Sequence, residues 1–155
     1  MTAWAEFERQ EPALANRVRG LFTTHRHHTM ATLRRDGSPR ISGTEVEFVD
    51  GQLVLGMMGG ALRANDLRRD PRVALHTHTT DPPAEGESPS SWCGDAKISG
   101  LGRELPAGEG EGDDPSHRFR IDILDVVHTR VGVPADHLLI EVWRPGTGVS
   151  RIERR

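Results

Sequence analysis

Apolar and polar positions alternate in short runs along most of this chain, with turn residues between them. The first three apolar runs are Met30-Ala31-Thr32-Leu33, Val46-Glu47-Phe48-Val49 and Leu53-Val54-Leu55. Asp36-Gly37-Ser38-Pro39 separates the first two, and Asp50-Gly51 the next two. A glycine preceded by aspartate supplies the positive φ of a tight turn, so both breaks predict antiparallel hairpins. Gly59-Gly60 then opens a short helical run, Ala61 to Arg69. It stops ahead of Asp70-Pro71, because the residue before proline is pushed out of the α region. Val73-Ala74-Leu75 resumes a strand, and Asp95 to Gly102, with its small residues, is another. Phe119, Ile121 and Ile123 alternate with Arg120 and Asp122, and the strand pattern continues through Val126–Val131 after a kink. Leu138 to Trp143 is the next strand, and the tail from Val149 to Arg155 adds an edge strand. At the start, Leu14, Val18, Leu21 and Phe22 share one helical face. They predict a helix within residues 2–22 that closes one end of a barrel, with Pro12 near its start and Trp4 and Phe7 on a preceding turn.

Six or seven short strands, mostly joined by hairpins, predict a mainly β fold: a closed or partly closed antiparallel barrel. An N-terminal helix and one short helix after the third strand complete it. Residues 79–94 and 106–116, rich in Pro, Gly, Ser and acid, are predicted loops. No second domain or internal repeat is visible, so residues 1–155 are read as one domain.

Composition narrows the function classes. Twenty basic and 23 acidic residues leave a net charge of −3, too weak a field to favour nucleic acid or an anionic membrane. The single Cys93 excludes an intramolecular disulfide and argues for a reducing compartment. No apolar run approaches the roughly 18 residues of a membrane span. Trp4, Glu6 and Glu8 stand where a signal peptide would carry a basic and then an apolar stretch. A cytoplasmic location is expected. Hydrophobic content is only 35 %, with no tyrosine, so the thin core is expected to gain from a second copy of the chain in a homodimer.

Candidate chemistry follows from three features. A helix entered through two glycines leaves backbone N–H groups open at its positive end, where an anion such as a phosphate would sit. Arg63 lies in that first turn, where its charge opposes the dipole unless an anion lies between them; Arg68 and Arg69 suit the other end. Ser42-Gly43-Thr44 interrupts the second strand, which marks a bulge or a place where a ligand meets the backbone closely. His25, His27, His28, His76 and His78 could gather around a transition metal if their strands were neighbours, or stand half-solvated at strand ends. Their spacing matches no metal signature, and no metal site is assigned.

The ordered set MATLRRDGSP, ISGTEVEFVDGQLVLG and ALRANDLRRDPRVALH resembles the flavin-binding split-barrel superfamily. That is the family of pyridoxamine phosphate oxidase and its flavin- or deazaflavin-dependent relatives. FRIDILDVV and LLIEVWRPGTGVSRIER resemble the closing strands of its small members. The resemblance implies a six-stranded split barrel that dimerises, with cofactor sites in clefts between subunits. It places the cofactor phosphate at Leu62 and Arg63, and the isoalloxazine edge along Ser42, Gly43 and Thr44. Gly56, Met57 and Asp95 match further contacts, and Trp143 and Arg151 match residues supplied by the second subunit. The function implied is hydride transfer to a small conjugated substrate by an FMN-dependent, or alternatively deazaflavin-dependent, oxidoreductase. No side chain stands out as its general acid; solvent or His76 would serve. The alternative is a non-enzymatic carrier of a flavin, haem or other tetrapyrrole on the same fold. Departures from the oxidase pattern exclude pyridoxamine phosphate oxidation itself. Ser42 and Glu47 stand where that enzyme has Arg and Lys, Ala61 offers no hydroxyl, and Arg151-Ile152-Glu153 replaces its Arg-x-His pair.

Overall fold

A computed structural model describes residues 2–106 and 116–155. Helices α1 (Trp4–Gln10) and α2 (Pro12–Thr24) lead into strands β1 (His28–Leu33), β2 (Pro39–Val49) and β3 (Gln52–Met57). Helix α3 (Leu62–Arg69) follows, then β4 (Arg72–His76), β5 (Asp95–Glu104), β6 (His117–Val131), β7 (Leu138–Arg144) and β8 (Gly148–Arg154). The sheet order is β3-β2-β1-β4-β5-β6-β7-β8, and β6 pairs back onto β3. Six strands therefore close an antiparallel barrel, while β7 and β8 extend its sheet outward. Most of the predicted 106–116 loop lies outside the described residues.

Local chemistry accounts for the connections. Asp50 and Gly51 both take positive φ, +50° and +72°, which gives the two-residue turn that joins β2 to β3. In the first hairpin, Asp36 Oδ1 accepts from Ser38 N at 2.9 Å and Ser38 Oγ at 2.6 Å. Helix α3 ends at Arg69 as its sequence predicts, and Asp70 turns extended before Pro71.

Two expectations need correction. The N-terminal helix is two helices, because Glu11 (φ −134°, ψ 66°) breaks the run and Pro12, with no N–H to lose, starts the second. Trp4 and Phe7 therefore belong to a helix of their own, and both are completely buried. Trp4 packs edge-on against Phe48 and Phe7 with centroids 4.6 and 5.1 Å apart. Backbone bonds Ala5 N→Gly51 O and Ile123 N→Thr2 O tie this segment to the barrel. Phe119–Ile123 and Val126–Val131 are one continuous strand. The kink between them is a bulge: Ser99 faces Asp125 but Gly100 faces Ile123, leaving Leu124 as the extra residue.

The strand that organises the site is β2, which changes partners midway. Residues Pro39 to Thr44 pair with β1, and Glu45 to Val49 pair with β3. Over the first half, the edge of β2 that faces away from β1 has no strand beside it among the described residues. Helix α3 follows directly from the end of β3 and packs against β1 and β5. Gly102 makes room there for Leu67, which reaches to 3.3 Å of the position a Cβ would take.

Candidate functional site

A cleft of about 530 Å³ opens where β2 changes partners. Its floor is the outer face of β2 and β3. Gly43, Glu45 and Glu47 project there at period two, and Gly56 lies across the ladder from Glu45. A Cβ at Gly56 would stand in open space, and one at Gly43 would come no closer than 4.0 Å to any heavy atom. The two glycines thus leave bare backbone that a planar ligand could approach. Thr44 and Met57 also line the cleft; both are buried, so what they offer it is chiefly main chain. The rim carries His27, Met58 and Ser116.

Arg63 reaches the cleft from the first turn of α3. Its Nε is buried without a hydrogen-bond partner among the described residues. Ala61, at the N-cap, supplies no side-chain acceptor; Ala64 N donates to Ala61 O at 3.1 Å, and the N–H groups of Leu62 and Arg63 have no partner among the described residues. The two carboxylates on the floor are turned to other cations. Glu47 pairs with Arg118 at 3.2 Å, and Glu45 lies 3.9 Å from Arg26 and 4.0 Å from His27. Arg63 is therefore left as a directed cation beside a helix N-terminus, a combination that suits a phosphate.

Of the residues singled out in the sequence, Gly43, Thr44, Gly56, Met57 and Arg63 come together here. Ser42 does not join them: it pairs with Met30 of β1, on the opposite face of β2 from Gly43. Leu62 projects to the far side of α3 into a second pocket and is 62 % exposed. Asp95 sits at the start of β5, 3.6 Å from His76 Nε2 and away from the cleft. Trp143 cannot reach a neighbouring subunit, because it is fully buried in its own core and donates from Nε1 to Gln10 Oε1. Arg151 remains two-thirds exposed beside Glu141 at 3.1 Å. Glu45 and Glu47 were missed as site residues, although their period-two spacing from Gly43 places them on its face. Arg118, 71 positions from Glu47 in sequence, gave no local signal.

The histidines divide. Nε2 of His28 donates to the carbonyls of Phe22 (2.8 Å) and His25 (2.9 Å), and Nδ1 accepts from His78 N at 2.9 Å. Both ring nitrogens are committed to backbone, and burial holds this imidazole below its ordinary pKa. His25 stacks on His78 with ring centroids 4.0 Å apart. Among the described residues no three metal-ligating side chains converge. Cys93 is exposed, with Sγ 2.9 Å from Thr80 Oγ1, and has no histidine partner among the described residues.

In fold, the molecule is a split barrel like that of several solved structures. It is similar to a pyridoxamine 5'-phosphate oxidase-related, FMN-binding protein of Nostoc punctiforme. That match has a TM-score of 0.65 at 9 % identity and covers 94 % of this chain and 96 % of the other. It is similar to PhzG of Burkholderia lata, solved with tetrahydrophenazine-1-carboxylic acid, with a TM-score of 0.62 at 8 % identity over 97 % and 92 % of the two chains. A haem-binding protein of Mycobacterium smegmatis shares the fold at a TM-score of 0.53 and 14 % identity, over 93 % and 88 %. No family model matches the sequence, and no curated protein matches it. No helix among the described residues is long and apolar enough to cross a membrane.

Proposed function

We propose that this protein binds FMN, with a deazaflavin as the alternative cofactor, and acts as a cytoplasmic oxidoreductase on a small conjugated substrate. The observation that carries the reading is Arg63: a buried Nε without a partner among the described residues, at a helix N-terminus and beside strand backbone kept bare by Gly43 and Gly56. Arg63 and the N–H groups of Leu62 and Arg63 at the start of α3 would hold the phosphate. The free edge of β2 at Gly43 and Thr44 would give hydrogen bonds to the ring edge, with Gly56 and Met57 beneath it. FMN supplies hydride transfer when bound. The chain's own part is to orient the ring, exclude water from one of its faces and place the phosphate. Glu45 and Glu47 make the floor less welcoming to anions, so the pairing of Glu47 with Arg118 is part of the site's fitness.

The same reading includes a homodimer. Ile41, Ala31, Ala74 and Val127 line an apolar hollow of about 360 Å³ on the outer wall of the barrel, and Ile41 is 76 % exposed. A second copy would cover it. The Asp95–His76 pair stands on this wall, and His76 lines the hollow. Purified protein titrated with FMN should quench flavin fluorescence at one equivalent per chain and run at the mass of two chains. An unquenched flavin would remove the reading.

The His25–His78 stack, with His78 exposed, and the fold shared with a haem-binding protein favour a second reading, a non-enzymatic carrier of haem, another tetrapyrrole or a flavin. A Soret band on haem addition that shifts in His78→Ala would favour it over the first.

A further inference from the structure

We propose that the far side of α3 carries a second anion site, separate from the Arg63 cleft, for a small ligand with at least two negative charges on phosphoryl or carboxyl groups. The pocket is about 520 Å³ and is lined by Arg34 and Arg35 of the first hairpin, Arg40 of β2, and Asp66 and Arg69 of α3. Arg63 is not among its walls, so the proposal stands whether or not the flavin reading does.

Asp66 is what makes this more than a group of solvated arginines. Its side chain is only 3 % exposed and accepts from three directions. Thr32 Oγ1 donates to Oδ2 at 2.8 Å, Arg40 Nε to Oδ2 at 2.7 Å, and Arg69 Nη2 to Oδ1 at 2.9 Å. Burial alone would raise the pKa of this acid. The bonds from Arg40, Thr32 and Arg69 outweigh it, so the group stays ionised. A buried, ionised carboxylate thus fixes two guanidiniums by one edge each. Arg69 spends a second bond on Leu33 O. The terminal N–H groups of Arg40 have no partner among the described residues and remain available at the pocket. Holding a guanidinium by its Nε edge while its outer fork stays free is how a bidentate anion receptor is prepared before the ligand arrives.

The hairpin adds charge without adding a competing acceptor. Arg34 and Arg35 are exposed and make no ion pair among the described residues. Asp36, the one other carboxylate in the pocket, is already occupied by Ser38 N and Oγ in its own turn. Four arginines against two carboxylates leave the pocket positive on a chain whose net charge is −3. Phosphoryl and carboxyl groups offer the same paired oxygens, so the pocket chemistry fits both.

The test is calorimetric titration of the full chain with pyrophosphate and, separately, citrate at low ionic strength, with the thermal midpoint recorded for every variant. One site per chain is expected for at least one of the two anions, and the tighter of them tells phosphoryl from carboxyl ligands. Arg34→Ala/Arg35→Ala, which alters only exposed side chains, should weaken binding about tenfold with no change in thermal midpoint. Arg40→Lys, which keeps the charge but not the fork, should weaken it as well, while Arg63→Met should leave it within about twofold. The proposal is overturned if neither anion binds, or if binding survives the double variant. It is equally overturned if Arg63→Met alone abolishes binding, which would assign the anion to the cleft instead.

Discussion

Gly56 stands directly across the β2–β3 ladder from Glu45, so the strand face that carries a carboxylate on one side is bare on the other. A Cβ at Gly56 would meet no atom within 4 Å. A branched residue there suits a strand and leaves the core untouched, yet it fills the floor of the cleft. Gly56→Val should therefore keep the thermal midpoint within a few degrees while flavin affinity falls by about tenfold or more, read by fluorescence quenching.

The closure of the barrel by α1 rests on one indole. Trp4 is fully buried and touches Phe7 and Phe48, with the Arg19 guanidinium 4.8 Å from the Phe48 centroid. Trp4→Ala should cost about 3–5 kcal/mol, the range for deleting a large aromatic from a core. Denaturant unfolding followed by circular dichroism would measure it. A loss under about 1 kcal/mol would mean that α1 is not part of the core.

Asp66→Asn tests the positioning carboxylate. The change keeps size and one acceptor but removes the charge that two arginines share. Both guanidiniums reach water in part, so the cost should be about 2 kcal/mol, less than for a wholly buried pair. Thr32→Val, which removes only the hydroxyl bond to Oδ2, should cost about 1 kcal/mol by the same measurement.

Stability should fall as the solution is acidified through the histidine range. Burial lowers the pKa of His28 and of His128 from 6.5, so both stay neutral to lower pH in the folded chain than in the unfolded one. The unfolded chain therefore takes up protons first as pH drops below 6.5, and the native state loses ground. The stability is fully present above pH 6.5. It declines below that by at most about 1.4 kcal/mol per pH unit for each histidine. Unfolding free energies at pH 7.5 and 5.5 would show the difference. His28→Gln and His128→Gln should each flatten the slope.

What the sequence made legible was local. The hairpins at Asp36-Gly37 and Asp50-Gly51, the start of α3 after Gly59-Gly60 and its end before Pro71 are dictated by φ preferences within a few residues. The place of Arg63 in the first turn of α3 was legible with the helix start. The change of partners along β2 was not, because pairing with β1 up to Thr44 and with β3 from Glu45 depends on how the barrel closes. The Asp66 network joins residues 26 and 34 positions apart. Its local trace is the i,i+3 spacing of Asp66 and Arg69 on α3. Asp95 was placed by resemblance, and the fold puts it on the outer wall beside His76 rather than in this chain's cleft.

The most direct measurement compares FMN with riboflavin, which differ only by the phosphate, in the wild-type chain and in Arg63→Met. With Arg63 as the phosphate ligand, the wild type should prefer FMN by about tenfold or more, and the variant should lose that preference while riboflavin affinity stays the same. Equal affinity for the two ligands in the wild type, or a preference untouched by the substitution, would contradict the assignment.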